Sequence, residues 1–196
     1  MDAFSSRHRI VVFAMLEREQ APVADAPLAG TVGATFEDIY RDHYRDVHRY
    51  VLLSLRRPDD VEDVVADTFD RALAAWRSGH GPAGRPLPWL LLIARRIVVD
   101  RWRRNRLLRW LPLAIGTARS EPSDPSRDSE RTEFWIWLDR LAEILPERQR
   151  DVVYLRYQRD LSDDDIGEIL GLSASGVRTL AARALTALRQ HPELWS

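Results

Sequence analysis

Apolar residues begin to recur at helical spacing at Phe36. With Ile39, Tyr40, Val47, Tyr50, Val51 and Leu55 they predict a first helix with one inward face. Thr35, three residues before Asp38, makes a capping-box-like start. Pro58 stops the helix at Arg56–Arg57, because a residue before proline disfavours α geometry. A second helix is expected from about Asp59 to Arg77. Its inner stripe is Val61, Val65, Phe69, Ala72 and Trp76, while Asp60, Asp63, Asp67 and Asp70 fall on another face. Taken alone, those acids read as a solvated helix exterior. The Gly- and Pro-rich stretch Ser78 to Pro86 is a loop. The third helix occupies Leu87 to Arg109, with Pro88 suited to its first turn. Trp89 to Ile93 is apolar on every side, a pattern that predicts burial all round. About 20 residues at 1.5 Å each make a rod roughly 30 Å long. These three helices are expected to form a first domain over 35–110.

Pro112 breaks the pattern, and 116–130 is rich in Ser, Pro and Asp without periodicity, so 111–131 is read as a flexible linker. Helical spacing resumes with Phe134, Leu138, Leu141 and Leu145 before Pro146, and a further helix is expected from Glu147 to Arg159. Trp135 and Trp137 are assigned to core or linker packing. Ser162 then serves as an N-cap with Asp165 reaching back, and the helix ends at Gly171. Ser173 caps the last helix, which runs to about Arg189. This pair meets the mechanical demands of a helix-turn-helix. Gly167 is small where the helices approach, Gly171 allows positive φ, and Ile166, Leu170, Leu172, Val177 and Leu180 are placed to seal the pair. The second domain is set at 132–196 and the N-terminal 1–34 is read as a flexible extension, with Met15 an alternative start. The fold class is all-α, two small helical domains joined by a linker.

Charge sharpens this picture because it is segregated, although the 196-residue chain carries a formal net charge of only −1. Asp59 to Asp70 holds six acids and no base. Starting 25 residues after Asp70, Arg95, Arg96, Arg101, Arg103, Arg104, Arg106 and Arg109 face a single acid, Asp100. Two surfaces of opposite sign suggest two different partners. Arginine forks fit phosphate bidentately and stack on bases, and Trp102 among them offers a face to an unpaired base. A solvated helix end whose arginines pair with nearby acids would show the same run. The absence of cysteine excludes disulfides and cysteine zinc sites. Ile10 to Leu16 is far too short to span a membrane, which needs about 20 residues, and Glu17, Arg18 and Glu19 follow it directly. The expectation is a cytoplasmic protein without membrane insertion.

An enzyme would require clustered nucleophile, base or metal ligands. The five histidines, His8, His43, His48, His80 and His191, are scattered, and His43 and His48 are spaced off one helical face. Asp163, Asp164 and Asp165 point in different directions on one helical turn and suit the positive end of the helix dipole better than a metal. No catalytic residue, metal or cofactor is assigned.

Taken together, the two halves resemble a sigma factor of bacterial RNA polymerase. The resemblance is to the extracytoplasmic-function group of the sigma-70-like family, which keeps only the second and fourth sigma domains. It covers about 36–190. In the first domain it rests on FEDIYRDHYRDVHRYV, DDVEDVVADTFDRALAAW and LPWLLLIARRIVVDRWRR; in the second it rests on LPERQRDVVYLRYQRDLSDDDIGEILGLSASGVRTLAARALTAL. The C-terminal half also resembles regulators of the response-regulator type. The order of acidic helix, arginine helix, linker and helix-turn-helix is what discriminates.

The resemblance implies a role for each segment. Asp60, Asp63, Val64, Asp67, Thr68 and Phe69 would dock on the clamp coiled coil of the polymerase β′ subunit. The loop with His80 and Arg85 would receive a base flipped from the melted minus-ten element. Arg95, Arg96, Arg101, Trp102, Arg103 and Arg104 would hold that strand and the adjoining duplex backbone. Ser173, Ser175, Arg178, Thr179 and Arg183 would enter the major groove of the minus-thirty-five element, with Arg156 near a phosphate. Core polymerase, through β′ clamp and β flap, promoter DNA and an anti-sigma factor are the implied partners. The chain departs from the family at three places. Leu180 stands where a second basic residue is frequent, Ser175–Gly176 where a Gly-Thr pair is, and Arg96 where asparagine is common. The other function considered is a helix-turn-helix regulator that never joins core polymerase.

Overall fold

The computed structural model describes residues 35–55, 60–108 and 128–191, with side-chain surroundings at all of these except 105–108 and 128–135. The expected extension at 1–34 and most of the expected linker lie outside the described residues. Among the described residues the secondary structure is entirely helical, and the helices divide into two compact units.

The first unit is a three-helix assembly in which each helix packs on the other two: α1 (Phe36–Leu55), α2 (Val61–Arg77) and α3 (Pro86–Leu108). The expected capping box opens α1. Asp38 N–H donates to Thr35 Oγ1 at 3.2 Å, and Thr35 N–H donates to Asp38 Oδ2 at 3.0 Å. That hydrogen bonding, with Arg41 close by, holds the Asp38 carboxyl below its usual pKa. Val47, Tyr50 and Val51 from α1, Val64, Val65 and Ala72 from α2, and Leu90, Leu91, Ala94, Ile97 and Val98 from α3 fill the core. Each buried Val, Leu or Ile among them stabilises the fold by roughly 1.5–3 kcal/mol relative to its exposed state. The loop turns at Gly79, whose φ is +77°, and Gly81 abuts the Trp76 ring, so a Cβ there would lie 3.0 Å from the indole.

Two expectations change here. Trp89, Leu92 and Ile93 are only half-buried, so the apolar run is not enclosed on all sides; with two partner helices, α3 keeps one flank outside the core. Tyr40 is 43% exposed and does not join the core stripe; its ring sits edge-on to Phe69 at 4.6 Å between centroids.

The second unit comprises α4 (Asp128–Ile144), α5 (Glu147–Val153), a π-helical turn (Tyr154–Gln158), α6 (Asp163–Leu170) and α7 (Ala174–Arg189). Helix α4 begins within the stretch read as linker. Val152, Val153, Tyr154, Leu155, Leu161, Ile166, Val177, Ala184, Leu185 and Leu188 are buried, as is Trp137, which meets the Tyr154 ring at 6.4 Å. The helix expected to continue to Arg159 widens instead: Arg159 N–H donates to Tyr154 O at 3.2 Å, one residue further back than in an α-helix. Asp160, at φ +52°, ends the turn. Ser162 accepts from Asp165 N–H while Asp165 accepts from Ser162 N–H, which completes the predicted box.

The helix-turn-helix joint is set by two glycines with different tasks. Gly171 closes α6 in the left-handed region at φ +66°. At Gly167 the constraint is space, since a Cβ would stand 2.6 Å from the Leu172 carbonyl oxygen. Ile166, Leu170 and Val177 are buried as expected, but Leu172 and Leu180 are half-buried and Ala181 takes the inward place beside Val177.

Candidate functional site

The acidic helix divides the six residues expected to dock together. Val64 and Thr68 are fully buried and Phe69 nearly so, with Thr68 Oγ1 donating to Val64 O at 2.6 Å. They belong to the α1–α2–α3 core, because a helix at 3.6 residues per turn carries Val64, Thr68 and Val61 on its inner face. On the outer face stand Asp63, Asp67 and Asp70, all exposed, with Glu62 on the α1 side. Tyr44 Oη donates to Glu62 at 3.0 Å and His48 Nε2 lies 3.2 Å from it. Asp60 precedes the helix, half-buried, and is occupied by Arg101.

The arginines of α3 divide in the same way. Arg101 Nη2 contacts Asp60 at 2.5 Å and Asp63 at 3.9 Å, and the Arg101 and Asp60 side chains are each 25% exposed. Arg95 turns toward the protein and places its guanidinium 5.6 Å from the Trp102 ring centre. Arg96, Arg103 and Arg104 are exposed. Arg103 lies 3.9 Å from Asp100, and Arg104 Nε donates to the Asp100 carbonyl at 3.4 Å. These three form the accessible basic end, with Trp102 half-buried in the same helix segment. In the loop before α3, His80 and Arg85 are both exposed. The His80 ring is hydrogen-bonded to Ser78 Oγ through Nδ1 at 3.1 Å.

In the second unit, Ser173 spends its hydroxyl capping α7, accepting from Gly176 N–H at 3.1 Å, with Ser175 Oγ 3.0 Å away. Thr179 Oγ1 donates to Ser175 O. Arg178 and Arg183 are exposed at opposite margins of the outer face of α7, with Ser175 and Thr179 between them, while Val177, Ala181 and Ala184 face inward. Arg156, on the π-helical turn, is not directed outward. Its Nη1 lies 2.9 Å from Asp163 Oδ1, both side chains being 17% exposed. The neighbouring Tyr157 phenol is pushed above its ordinary pKa by burial, which Arg156 opposes and Asp163 reinforces. Among the described residues there is no cluster of His, Asp or Glu able to hold a metal ion, and no helix is long and apolar enough to cross a membrane.

Comparison with known proteins places both units. Residues 39–107 match the family described as Sigma-70 region 2, and residues 141–190 match Sigma-70, region 4; together the matches cover more than half of the chain. The chain belongs to the sigma-70 family, in its extracytoplasmic-function group. As a sigma factor it is the promoter-specificity subunit of RNA polymerase. It is 26% identical over 168 residues to the ECF RNA polymerase sigma factor SigX of Bacillus subtilis, covering 82% of this chain and 84% of that protein. With the ferric citrate uptake sigma factor FecI of Escherichia coli it shares 29% identity over 157 residues, 79% of this chain and 89% of that one. Its fold is similar to that of the sigma factor RpoE crystallised with the anti-sigma factor NepR from Bartonella quintana, at a TM-score of 0.60, 21% identity, and coverage of 81% and 95% of the two chains. CnrH in complex with the cytosolic domain of CnrY gives a TM-score of 0.55 at 20% identity, covering 96% of this chain and 98% of that one.

Sequence reasoning about this sigma factor missed the acids that hold its arginines. The resemblance groups Asp60 with the docking face, and helix capping accounts for Asp163, yet each carries an ion pair to an arginine expected on DNA. Helical spacing holds no signal for such pairs, because the partners lie on different helices.

Proposed function

We propose that this sigma factor joins core RNA polymerase through the outer face of α2, centred on Asp63 and Asp67. The exposed arginines Arg96, Arg103 and Arg104, with Trp102, hold the melted minus-ten strand while the loop bearing His80 and Arg85 receives a flipped base. The polar face of α7, with Ser175, Arg178, Thr179 and Arg183, reads the minus-thirty-five element. Val64, Thr68 and Phe69 serve the docking face by shaping it from beneath. The protein supplies recognition and leaves bond-making to the core enzyme, so it works in the cytoplasm with the polymerase. An anti-sigma factor is its expected regulator, as NepR is bound to RpoE in the Bartonella quintana complex.

The observation that carries this reading is the occurrence of a region 2 unit and a region 4 unit in one chain, in that order. A free-standing regulator would use the helix-turn-helix alone and would have no task for an acidic helix packed against an arginine helix. Reconstitution tests the proposal. Core polymerase with the full chain should initiate at sites selected from a random DNA library, and the two should co-elute. A chain that binds duplex DNA alone, fails to co-elute and leaves initiation unchanged would overturn it.

A further inference from the structure

Among the acids near the DNA-facing side of the second unit, Asp163 is placed to do more than begin a helix. It is the first residue of α6, after the Ser162 cap, and its two carboxylate oxygens point to different elements. Oδ1 lies 2.9 Å from Arg156 Nη1 on the π-helical turn, and Oδ2 accepts from Arg178 Nη1 on α7 at 3.5 Å. Asp163 thus joins the segment before the motif, its first helix and its last helix at one point. Arg156 is largely covered there, but the Arg178 side chain is 60% exposed and reaches outward. A carboxylate is an unexpected neighbour for residues meant to meet a polyanion, since it repels phosphate and neutralises guanidinium charge. Its geometric effect is different: it restrains a long side chain that would otherwise sample many rotamers, and a side chain held in one place discriminates between base edges better than a mobile one.

We propose that Asp163 is the positioning residue for Arg178, trading affinity for sequence discrimination in the minus-thirty-five contact. The inference rests on the reading of α7 as the groove-facing helix. Asp163 holds Arg178 so that its remaining N–H donors address one base, and it withholds Arg156 from the phosphates. A neutral residue at 163 releases both guanidinium groups, which then reach any phosphate in range. Binding tightens and becomes less selective.

The test uses holoenzyme assembled from core polymerase and the full chain, transcribing a promoter library randomised across the upstream element. Asp163→Asn should relax base preference at the same positions as Arg178→Ala, while the double substitution relaxes it no further. In salt titrations of promoter binding, Asp163→Asn should steepen the slope of log K against log salt by about 0.9 for each guanidinium that gains a phosphate. Asp163→Glu, which keeps the carboxylate, should restore the preference. Asp163→Ser is a second neutral variant with the same expectation as Asn. If Arg178→Ala relaxes preference and the neutral variants do not, the positioning role is wrong while the reading of α7 stands. If Arg178→Ala leaves the selected sequence unchanged, that reading falls and the role of Asp163 with it. Neutral variants that lose affinity and melting temperature together would mark Asp163 as structural alone and overturn the proposal.

Discussion

Arg101 on α3 closes against Asp60 at the entrance to α2, Nη2 to Oδ1 2.5 Å apart, across 41 residues of sequence. The pair fastens the acidic helix to the arginine helix inside one unit. Arg101 is therefore a structural tie between α2 and α3 in this sigma factor. An exposed ion pair contributes about 0–1 kcal/mol, and removing one partner of a fully buried pair costs about 3–5 kcal/mol. With both side chains three-quarters covered, Arg101→Ala is expected to destabilise the unit by roughly 1–2 kcal/mol. Thermal melts of Arg101→Ala, Asp60→Ala and the double variant should give a coupled cycle, the double costing less than the two singles added. Additive losses would show that the ion pair stabilises nothing.

The outer face of α2 makes a prediction about binding without folding. Asp63→Arg with Asp67→Arg should weaken capture of core polymerase at a small cost to the melt, because both side chains are exposed and the only tie disturbed among the described residues is the 3.9 Å contact of Asp63 with Arg101. By contrast, Phe69→Ala should lower stability by about 3–5 kcal/mol through lost burial. Polymerase pull-down and circular-dichroism melts on the same preparations separate the two effects, and undiminished capture by the double reversal would remove α2 from the interface.

At the basic end of α3, the salt dependence of promoter binding distinguishes exposed arginines from tied ones. Replacing Arg96, Arg103 and Arg104 with Ala should lower the slope of log K against log salt by about 0.7–0.9 for each phosphate left without its guanidinium. Arg95→Ala, which withdraws a guanidinium placed beside Trp102, should change that slope little. A triple variant with the wild-type slope would mean that this end does not touch nucleic acid.

The turn of the helix-turn-helix should be asymmetric in its tolerance. Gly167→Ala brings a Cβ onto the Leu172 carbonyl and is expected to destabilise by roughly 1–3 kcal/mol, with loss of upstream-element recognition. Gly171→Ala meets no neighbouring atom and should cost only the left-handed backbone, about 1–2 kcal/mol. Denaturant melts of the two variants check the order.

Tyr157 predicts behaviour at alkaline pH. Burial raises its pKa above 10.0, so the folded chain keeps the phenol proton longer than the unfolded chain does. The stability it contributes is complete below pH 10 and is lost as pH rises above that value. Tyr157→Phe removes this titration, so the alkaline loss of stability should be smaller in the variant when melts are compared on either side of pH 10. Parallel curves for the two proteins would exclude Tyr157 as the cause.

Local rules determined several of the helix ends in this sigma factor. The Thr35–Asp38 and Ser162–Asp165 boxes, the Ser173 cap and the left-handed Gly171 act within three or four residues, and so they are legible in sequence. Burial at Val64, Thr68 and Phe69 was half-legible: periodicity put Phe69 on the inner stripe, while the family resemblance placed all three on the docking face. Helix type was not legible at Tyr154–Gln158, because a single widened turn is too short to leave a distinct period in the apolar pattern. Tertiary structure alone decided how the charges are allotted. The sequence shows an arginine run and an acidic run, but which guanidinium meets which carboxylate depends on the relative height and rotation of packed helices. At a few ångströms that geometry ties Arg101 to Asp60 and Arg156 to Asp163, and turns Arg96, Arg103 and Arg104 outward.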